Sequence, residues 1–306
     1  MNIPFSPPFV DQSVIDEVVD CLNSGWITSG PRVKALETSI GDYTSIKNVL
    51  CVNSWTSGAI MILKWLGVKM GDEVIVPAYT YSATALAVLH CGAIPVMVDV
   101  TDEFVISVDA IREKITSRTK AIIPVDIAGW PCDYDGIMRL VKQPHILEKY
   151  SPDSEIQEKM KRIMVIADAA HSFGAFKLGK SSIVLCDIGI FSLHAVKNLT
   201  TAEGGAICIN LPYPFDNRET YNYLRMMKLN GQTKDAFTKT KAGGWRYDII
   251  MQGFKFNMPD ICAAIGLAQI RKYDYILSER KRVYELYSGL LGKHSWVQLP
   301  PQDNHN

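Results

Sequence analysis

The amino-acid sequence predicts an α/β fold: a large domain in which a mainly parallel β-sheet is sandwiched by helices. Short apolar runs alternate along the chain with helical patterns, an order typical of repeated β-α units. Most of these runs are apolar at every position rather than at alternate positions, which indicates strands buried on both faces. The runs cover residues 48–53, 72–78, 94–100, 120–127, 163–170, 188–193 and 204–210.

Helical patterns occupy the intervals between these runs. Residues 57–66 and 82–91 directly follow strands, and residues 109–117 carry their charges on one face. Residues 258–290 predict one or two long helices after the last strand.

Two segments interrupt the alternation. Residues 143–162 are highly charged, and we expect a solvated surface insertion there rather than a binding element. Residues 232–246 predict a loop with a Gly-Gly hinge. We expect residues 1–250 to form the large domain with its N-terminal arm, and residues 251–306 to form a helical linker and the start of a small C-terminal domain, which we interpret as truncated.

Composition excludes several classes of protein. The 306 residues carry 32 basic and 32 acidic side chains, so the charge balance does not favour a nucleic-acid partner. Apolar runs stay below the roughly 18 residues that a membrane span needs, and the N-terminus lacks the pattern of a signal peptide. The seven cysteines are too far apart for C-x-x-C pairs, so we expect buried, reduced thiols in a cytoplasmic protein.

Lys197 is the first candidate for chemistry, in the sequence FSLHAVKNLTTAEGGAI (191–207). It follows a predicted strand and precedes a polar turn, at the carboxyl edge of the sheet where open α/β sheets bind ligands. A lysine amine forms Schiff bases with carbonyl groups, and it does so better when desolvation lowers its pKa. An exposed loop lysine is the alternative.

Asp168 and His171 lie in the sequence VIADAAHSFGA (165–175). Because an aspartate at the end of a buried strand needs a cationic partner, a protonated pyridine nitrogen would suit Asp168. An N-cap aspartate is the alternative for Asp168. We expect His171 beside the same ring, with a structural histidine equally open.

Further candidates follow other strands. Thr56 and Ser57 lie at the start of a predicted helix, whose free N–H groups suit a phosphate, although simple capping would explain them too. Tyr81 would stack on a flat ring or form a rim of the core, and Ser192 would donate to a phosphate. Together these residues supply the contacts that pyridoxal 5'-phosphate (PLP) requires: an amine, an acid, an aromatic face and a phosphate cradle.

Seven motifs of the chain resemble the DegT/DnrJ/StrS family of PLP-dependent nucleotide-sugar aminotransferases, which have the aspartate aminotransferase fold. The similarity extends from about residue 3 to residue 290. The motifs are GWITSGP (25–31), NSWTSGA (53–59), GDEVIVPAYTYSATA (71–85), PVMVDV (95–100), IADAAHSFGA (166–175), FSLHAVKNLTTAEGGA (191–206) and FKFNMPDICAAIGLAQI (254–270).

The resemblance implies a role for each candidate. Lys197 would carry PLP as a Schiff base and move the proton during transamination, and Asp168 would face the pyridine nitrogen. The remaining implied contacts to the cofactor are His171 near the ring, Tyr81 stacked on it, Thr56, Ser57 and Ser192 on the phosphate, and Lys255 or Asn257 reaching the phosphate from a partner subunit.

The resemblance also implies an activity and an assembly. The enzyme would move an amino group from glutamate to a keto nucleotide sugar, in surface polysaccharide or amino-sugar biosynthesis. It would be a homodimer with shared active sites, without a metal ion.

The chain departs from the family pattern in three places. Trp55 stands where glycine is usual, the segment 143–162 is longer than usual, and the strands of the small C-terminal domain are missing. Three other functions stay open: a PLP-dependent sugar dehydratase, whose relatives carry histidine at the position of Lys197, a lyase or desulfurase of the same fold, and a member without catalysis.

Overall fold

The computed structural model describes residues 6–234 and 246–301, and it confirms the α/β prediction with a mainly parallel sheet between helices. Residues 235–245, which include most of the predicted hinge loop, lie outside the described residues. The strands, in chain order, are β1 (Asn48–Val52), β2 (Glu73–Pro77), β3 (Ile94–Val98), β4 (Thr119–Ile122), β5 (Met164–Asp168), β6 (Phe176–Lys177), β7 (Lys180–Ser181), β8 (Ile188–Ser192) and β9 (Gly205–Ile209).

The order of strands places the residues that follow them. Among the described residues, the main sheet has seven strands in the order β1-β9-β8-β5-β4-β2-β3. The pairs β8/β5, β5/β4, β4/β2 and β2/β3 are parallel, whereas β9 pairs antiparallel with both β1 and β8. The first residues of β9 therefore lie at the same edge of the sheet as the last residues of its neighbours.

Helices cover both faces of this sheet. They are α1 (Gln12–Asn23), α2 (Pro31–Thr44), α3 (Trp55–Trp65), α4 (Ala83–His90), α5 (Val108–Lys114), α6 (Tyr134–Leu140), α7 (Pro144–Lys149), α8 (Glu155–Met160), α9 (Asn217–Met227), α10 (Asp260–Ile270) and α11 (Tyr273–Leu291). Short 3₁₀ turns occupy Ile127–Gly129 and Ser182–Leu185.

The core forms two layers, one on each face of the sheet. Ile188 and Ile190 of β8 pack on the face covered by α3, α4 and α9, while Phe191 packs on the opposite face with α2, α6 and α10. Burial is incomplete at one edge of the sheet. On the edge strand β3, Met97 is 60% exposed, whereas Leu50, Cys51 and Val52 on the other edge strand, β1, are buried.

The segment 143–162 is largely exposed, as predicted, but a few of its side chains pack on the core. It contains α7 and α8, and its Ile146, Tyr150 and Met160 side chains are buried. Ser154 Oγ and Gln157 Nε2 both donate to the carbonyl oxygen of Leu66, just past the end of α3, at 2.8 and 3.1 Å. The segment therefore caps the end of a core helix. Its high content of charged residues gave no indication of this contact.

The structure also describes the cysteines and the helices. All seven cysteines lie within the described residues and are free thiols; six are buried, as predicted, and Cys262 is partly buried. Across residues 6–234 and 246–301, each helix is too short or too polar to cross a bilayer.

Candidate active site

The carboxyl edge of the sheet carries the predicted site residues. Asp168 ends β5 and Ser192 ends β8, while Lys197 follows β8 within the turn that leads to β9. Thr56 and Ser57 follow β1, and Tyr81 follows β2. The parallel arrangement thus brings these residues to one side of the molecule, as predicted from their positions after strands.

Asp168 is a buried carboxylate with an altered acidity. Its side chain accepts hydrogen bonds from Thr84 Oγ1 at 2.8 Å and from the backbone N–H of Ala170 at 3.2 Å. Burial raises the pKa of Asp168 to about 7, and these two donors oppose the shift. The negative charge on Asp168 is therefore incompletely compensated by the chain.

Lys197 lies at the other side of the same site. Its turn is held by hydrogen bonds from the backbone N–H of Lys197 to the carbonyl of His194 and from the N–H of Thr201 to the carbonyl of Leu193, at 2.9 and 2.8 Å. Partial burial lowers the pKa of Lys197, while the charge of Asp168 acts in the opposite direction. A larger fraction of the amine is consequently neutral at pH 7 than for an exposed lysine.

His171 shares a cavity with Lys197. The cavity has a volume of about 290 Å³, and His171, Lys197, Ala128 and Asn198 are among the residues that line it. Burial and the positive charge of Lys197 lower the pKa of His171, so its neutral form is favoured. Its Nδ1 accepts a hydrogen bond from the backbone N–H of Ala128 at 3.2 Å.

Two of the predicted phosphate-binding residues, Thr56 and Ser57, lie at the N-terminus of α3. Ser54 is the N-cap: its Oγ accepts from the N–H of Ser57 at 3.0 Å and donates to Ser57 Oγ at 2.8 Å. Gly205 at the start of β9 lets this turn approach the sheet. A Cβ at Gly205 would lie 2.7 Å from the carbonyl of Ser54 and 2.8 Å from the nitrogen of Trp55. The N–H groups of Trp55 and Thr56 precede the first hydrogen bond of the helix and are the ones available to an anion, whereas the N–H of Ser57 is bonded to Ser54.

The remaining predicted residues differ in their exposure and contacts. Ser192 is 8% exposed and lies on the same face of β8 as Ile190, which packs on the α3 side. Tyr81 is 76% exposed at the rim of the site. Lys255 is exposed, whereas Asn257 is partly buried and its Nδ2 donates to Ser29 Oγ at 2.7 Å.

Three further residues belong to the site but were missed in the sequence. Thr84 donates to Asp168, Asn198 Nδ2 donates to the carbonyl of His171 at 3.1 Å, and Asp126 follows β4 fully buried. Asp126 carries the signal that identified Asp168, an aspartate at the end of an apolar run, and that signal could have found it. Thr84 and Asn198 carry no comparable signal.

Known proteins are similar to this chain in sequence and in fold. The model of the DegT/DnrJ/EryC1/StrS aminotransferase family matches residues 8–147 and 154–306. The chain belongs to this family. The predictions of the family, of an aminotransferase and of its fold are thereby confirmed.

Two relatives of this aminotransferase show how far the similarity extends. An uncharacterized protein of Methanocaldococcus jannaschii is 36% identical over 315 residues, which cover 97% of the chain and 76% of that protein. Spr1654 of Streptococcus pneumoniae, assigned as a sugar aminotransferase, is 42% identical in its apo form, with a TM-score of 0.89 over 95% of the chain and 72% of its own. The same protein is known in a form with pyridoxamine 5'-phosphate (PMP) and in a form with PLP.

A more distant structure is Helicobacter pylori PseC, an aminotransferase involved in the biosynthesis of pseudoaminic acid. It is 25% identical, with a TM-score of 0.81 over 96% of the chain and 72% of its own length. The sheet and its edge are thus common to sugar aminotransferases of differing sequence.

Proposed function

We propose that this aminotransferase uses PLP to transfer an amino group from glutamate to a keto nucleotide sugar, in surface polysaccharide or amino-sugar biosynthesis. The observation that carries the proposal is the convergence of a buried carboxylate, Asp168, and a partly buried amine, Lys197, at the edge of the sheet that also holds the N-terminus of α3. The PLP and PMP forms of the Streptococcus pneumoniae relative support the choice of cofactor.

The residues present fit PLP. The pKa of Asp168, raised to about 7, shows that its charge lacks a cationic neighbour strong enough to offset burial, and a protonated ring nitrogen would supply one. The phosphate would bind at the start of α3, beside Thr56 and Ser57. A side chain at position 205 would push this start of the helix away from the sheet. We assign Ser192 to the phosphate, and Tyr81 and His171 to the ring.

When bound, PLP supplies an electron-poor ring that accepts the electron pair released at the amino donor's Cα. Lys197 would hold the cofactor through Nζ at the aldehyde carbon, whose oxygen leaves as water, and once displaced by the amino group of the donor it would take the Cα proton at the same nitrogen. Its lowered pKa favours the unprotonated amine that this step needs. Asp168 would keep the ring nitrogen protonated, and the hydrogen bond that it accepts from Thr84 fixes the orientation of the carboxylate.

We further propose a cytoplasmic homodimer with shared active sites. The free thiols of all seven cysteines fit a reducing compartment. Between the two candidates for the partner subunit's contact we favour Lys255, since its side chain is exposed whereas Asn257 is engaged with Ser29 of its own chain.

The test of the proposed function is the substitution Lys197→Ala, with Lys69→Ala as the matched control. Lys69 precedes β2 at the opposite edge of the sheet and pairs with Asp153 on the surface. We expect Lys197→Ala to lose the visible absorbance of covalently held PLP and to slow turnover by roughly 10² to 10⁴-fold, the usual worth of a positioned acid-base group. Lys69→Ala should keep both. Turnover of Lys197→Ala within a few-fold of the natural chain would contradict the proposal.

The substrate is tested separately. The enzyme is incubated with glutamate and a panel of 3-keto and 4-keto nucleotide sugars, and products are identified by mass spectrometry. An amino sugar formed with matching 2-oxoglutarate supports the proposed donor and acceptor. Conversion of the cofactor by glutamate without any aminated sugar would retain the aminotransferase but reject the substrate class.

A further inference from the structure

Asp126 is a buried carboxylate that the proposed chemistry does not use. It is fully buried, and its oxygens accept from the N–H of Cys132 at 3.0 Å, Tyr134 Oη at 2.8 Å, Ser172 Oγ at 2.7 Å and Ser182 Oγ at 3.2 Å. Burial raises the pKa of Asp126 and these donors oppose the shift. A buried carboxylate with this many donors holds its surroundings in one arrangement, because a rearrangement would leave polar groups unpaired.

The first element that Asp126 holds is the turn after β4. Asp126 begins the turn Ile127–Gly129, and its carbonyl accepts from the N–H of Gly129 at 3.1 Å. Ala128 in this turn has a φ of 52°, in the left-handed region that costs energy for a residue with a side chain. In this conformation the N–H of Ala128 donates to His171 Nδ1 at 3.2 Å.

The second element is the segment that carries His171 itself. Ser172, the next residue, donates to Asp126 Oδ2 at 2.7 Å. The backbones are also joined, since the N–H of Asp126 donates to the carbonyl of Asp168 at 3.1 Å and the N–H of Asp168 donates to the carbonyl of Pro124 at 2.8 Å. Asp126 is therefore connected both to the donor that reaches the imidazole and to the chain that bears it.

The contact determines which nitrogen of His171 carries the proton. A neutral imidazole has one N–H and one acceptor nitrogen, and an Nδ1 that accepts from Ala128 leaves the proton on Nε2. We propose that Asp126 is a positioning residue that keeps His171 in the Nε2–H tautomer, so that His171 offers a donor to an anionic oxygen bound beside Lys197. The lowered pKa of His171 agrees with a neutral ring.

The tautomer belongs to the chain itself and is independent of the proposed function. Only the identity of the acceptor depends on the proposed function: the oxygen to which His171 would donate is an oxygen of PLP. The inference can consequently be tested on the full chain without cofactor, and then on the loaded enzyme.

The experiment measures the ¹⁵N side-chain signals of histidine-labelled protein, with His171→Gln to assign the signals of His171. Ser172→Ala and Ser182→Ala form a matched pair, since each removes one hydroxyl donor from Asp126 Oδ2 but only Ser172 adjoins His171. We expect the natural chain to show protonated Nε2 and bare Nδ1. Ser172→Ala should shift the tautomer ratio several-fold toward Nδ1–H, whereas Ser182→Ala should leave it unchanged.

Two results would overturn the inference: a protonated Nδ1 in the natural chain, or equal shifts in the two serine variants, which would indicate a purely structural role for Asp126. The isosteric Asp126→Asn serves as a second variant and should reproduce the shift of Ser172→Ala. In the loaded enzyme, Ser172→Ala should alter the pH profile of the bound cofactor's absorbance, and Ser182→Ala should not. Failure to bind PLP would reject the proposed function while leaving the tautomer result intact.

Discussion

At the scale of single residues, burial moves two opposite charges toward neutrality. It raises the pKa of Asp168 to about 7 and lowers the pKa of Lys197, although each charge partly stabilises the other. The two shifts serve different needs. A neutral amine is the form that attacks a carbonyl or accepts a proton, while a cation beside Asp168 would lower its pKa and favour the charged carboxylate at neutral pH.

The raised pKa of Asp168 predicts a pH dependence of stability. A carboxyl group whose folded pKa lies above its unfolded value favours the folded state while protonated, and this contribution is lost as pH rises from about 4 through about 7. Relative to Asp168→Asn, the cofactor-free natural chain should therefore lose unfolding free energy over this range, by on the order of 4 kcal/mol at most. Urea unfolding at a series of pH values measures the difference.

The control for this prediction is Asp153→Asn. Asp153 is exposed, and its ion pair with Lys69 lowers its pKa, so the pH dependence relative to that variant should have the opposite sign. The explanation fails if Asp168→Asn and the natural chain show parallel stability curves. Added PLP should reduce the difference for the natural chain, since the ring nitrogen compensates the carboxylate.

At the scale of elements, the proposed phosphate cradle depends on a close approach between β9 and the start of α3. Gly205 makes the approach possible, and Ser54 caps the helix through the N–H of Ser57. The short α8 has a comparable structural task at the other end of α3, through Ser154 and the carbonyl of Leu66.

Gly205→Ala should weaken PLP binding. Its Cβ would lie 2.7 Å from backbone atoms of Ser54, so the start of α3 must move away from the sheet and the anion site is distorted. We expect a loss of affinity of roughly tenfold, which corresponds to the free energy that a helix N-terminus contributes to binding an anion. Titration with PLP followed by absorbance measures it.

Gly189→Ala is the matched control, on the neighbouring strand β8. Its Cβ would lie 2.7 Å from side-chain atoms of Ile183, at a distance from the cradle. This substitution should lower the unfolding free energy but leave PLP affinity within a few-fold. Equal losses of affinity in both variants would mean that the effect is general destabilisation.

At the scale of the whole molecule, the order of strands assembles the site from distant parts of the chain. β5 lies between β4 and β8, so the turns that carry Asp126, Asp168 and Lys197 are neighbours at one edge. The antiparallel β9 adds Gly205 to that edge from its starting end.

The proposed shared site predicts complementation between inactive chains. Lys197→Ala removes the amine of one site, and Lys255→Ala removes the proposed contact from the partner subunit. When the two variants are mixed in equal amounts, unfolded and refolded together, about a quarter of the natural activity should return. Half of the dimers then contain one chain of each variant, and each such hybrid holds one complete site out of two. Separately refolded variants are the control. A mixture no more active than either variant alone would contradict the sharing of Lys255.

The sequence by itself determined the strands and the chemistry of the main candidates. Six strands of the main sheet lie within runs predicted from their apolar residues, and β4 begins one residue before its run, because burial on both faces leaves a continuous local signal. Lys197, Asp168 and the start of α3 were predicted for a related reason: a functional group that directly follows a buried strand stands out against it. The roles of these residues remain predictions.

Only the tertiary structure decided what surrounds them. Thr84 reaches Asp168 from 84 positions away, and the hydroxyls of Ser172 and Ser182 meet at Asp126, although none of these contacts produces a local pattern. The antiparallel direction of β9 was likewise hidden, as was the packing of Ile146 from α7 and Met160 from α8 on the core. Periodicity reports how much of a segment is buried, whereas the identity of each partner depends on how the strands are ordered in space.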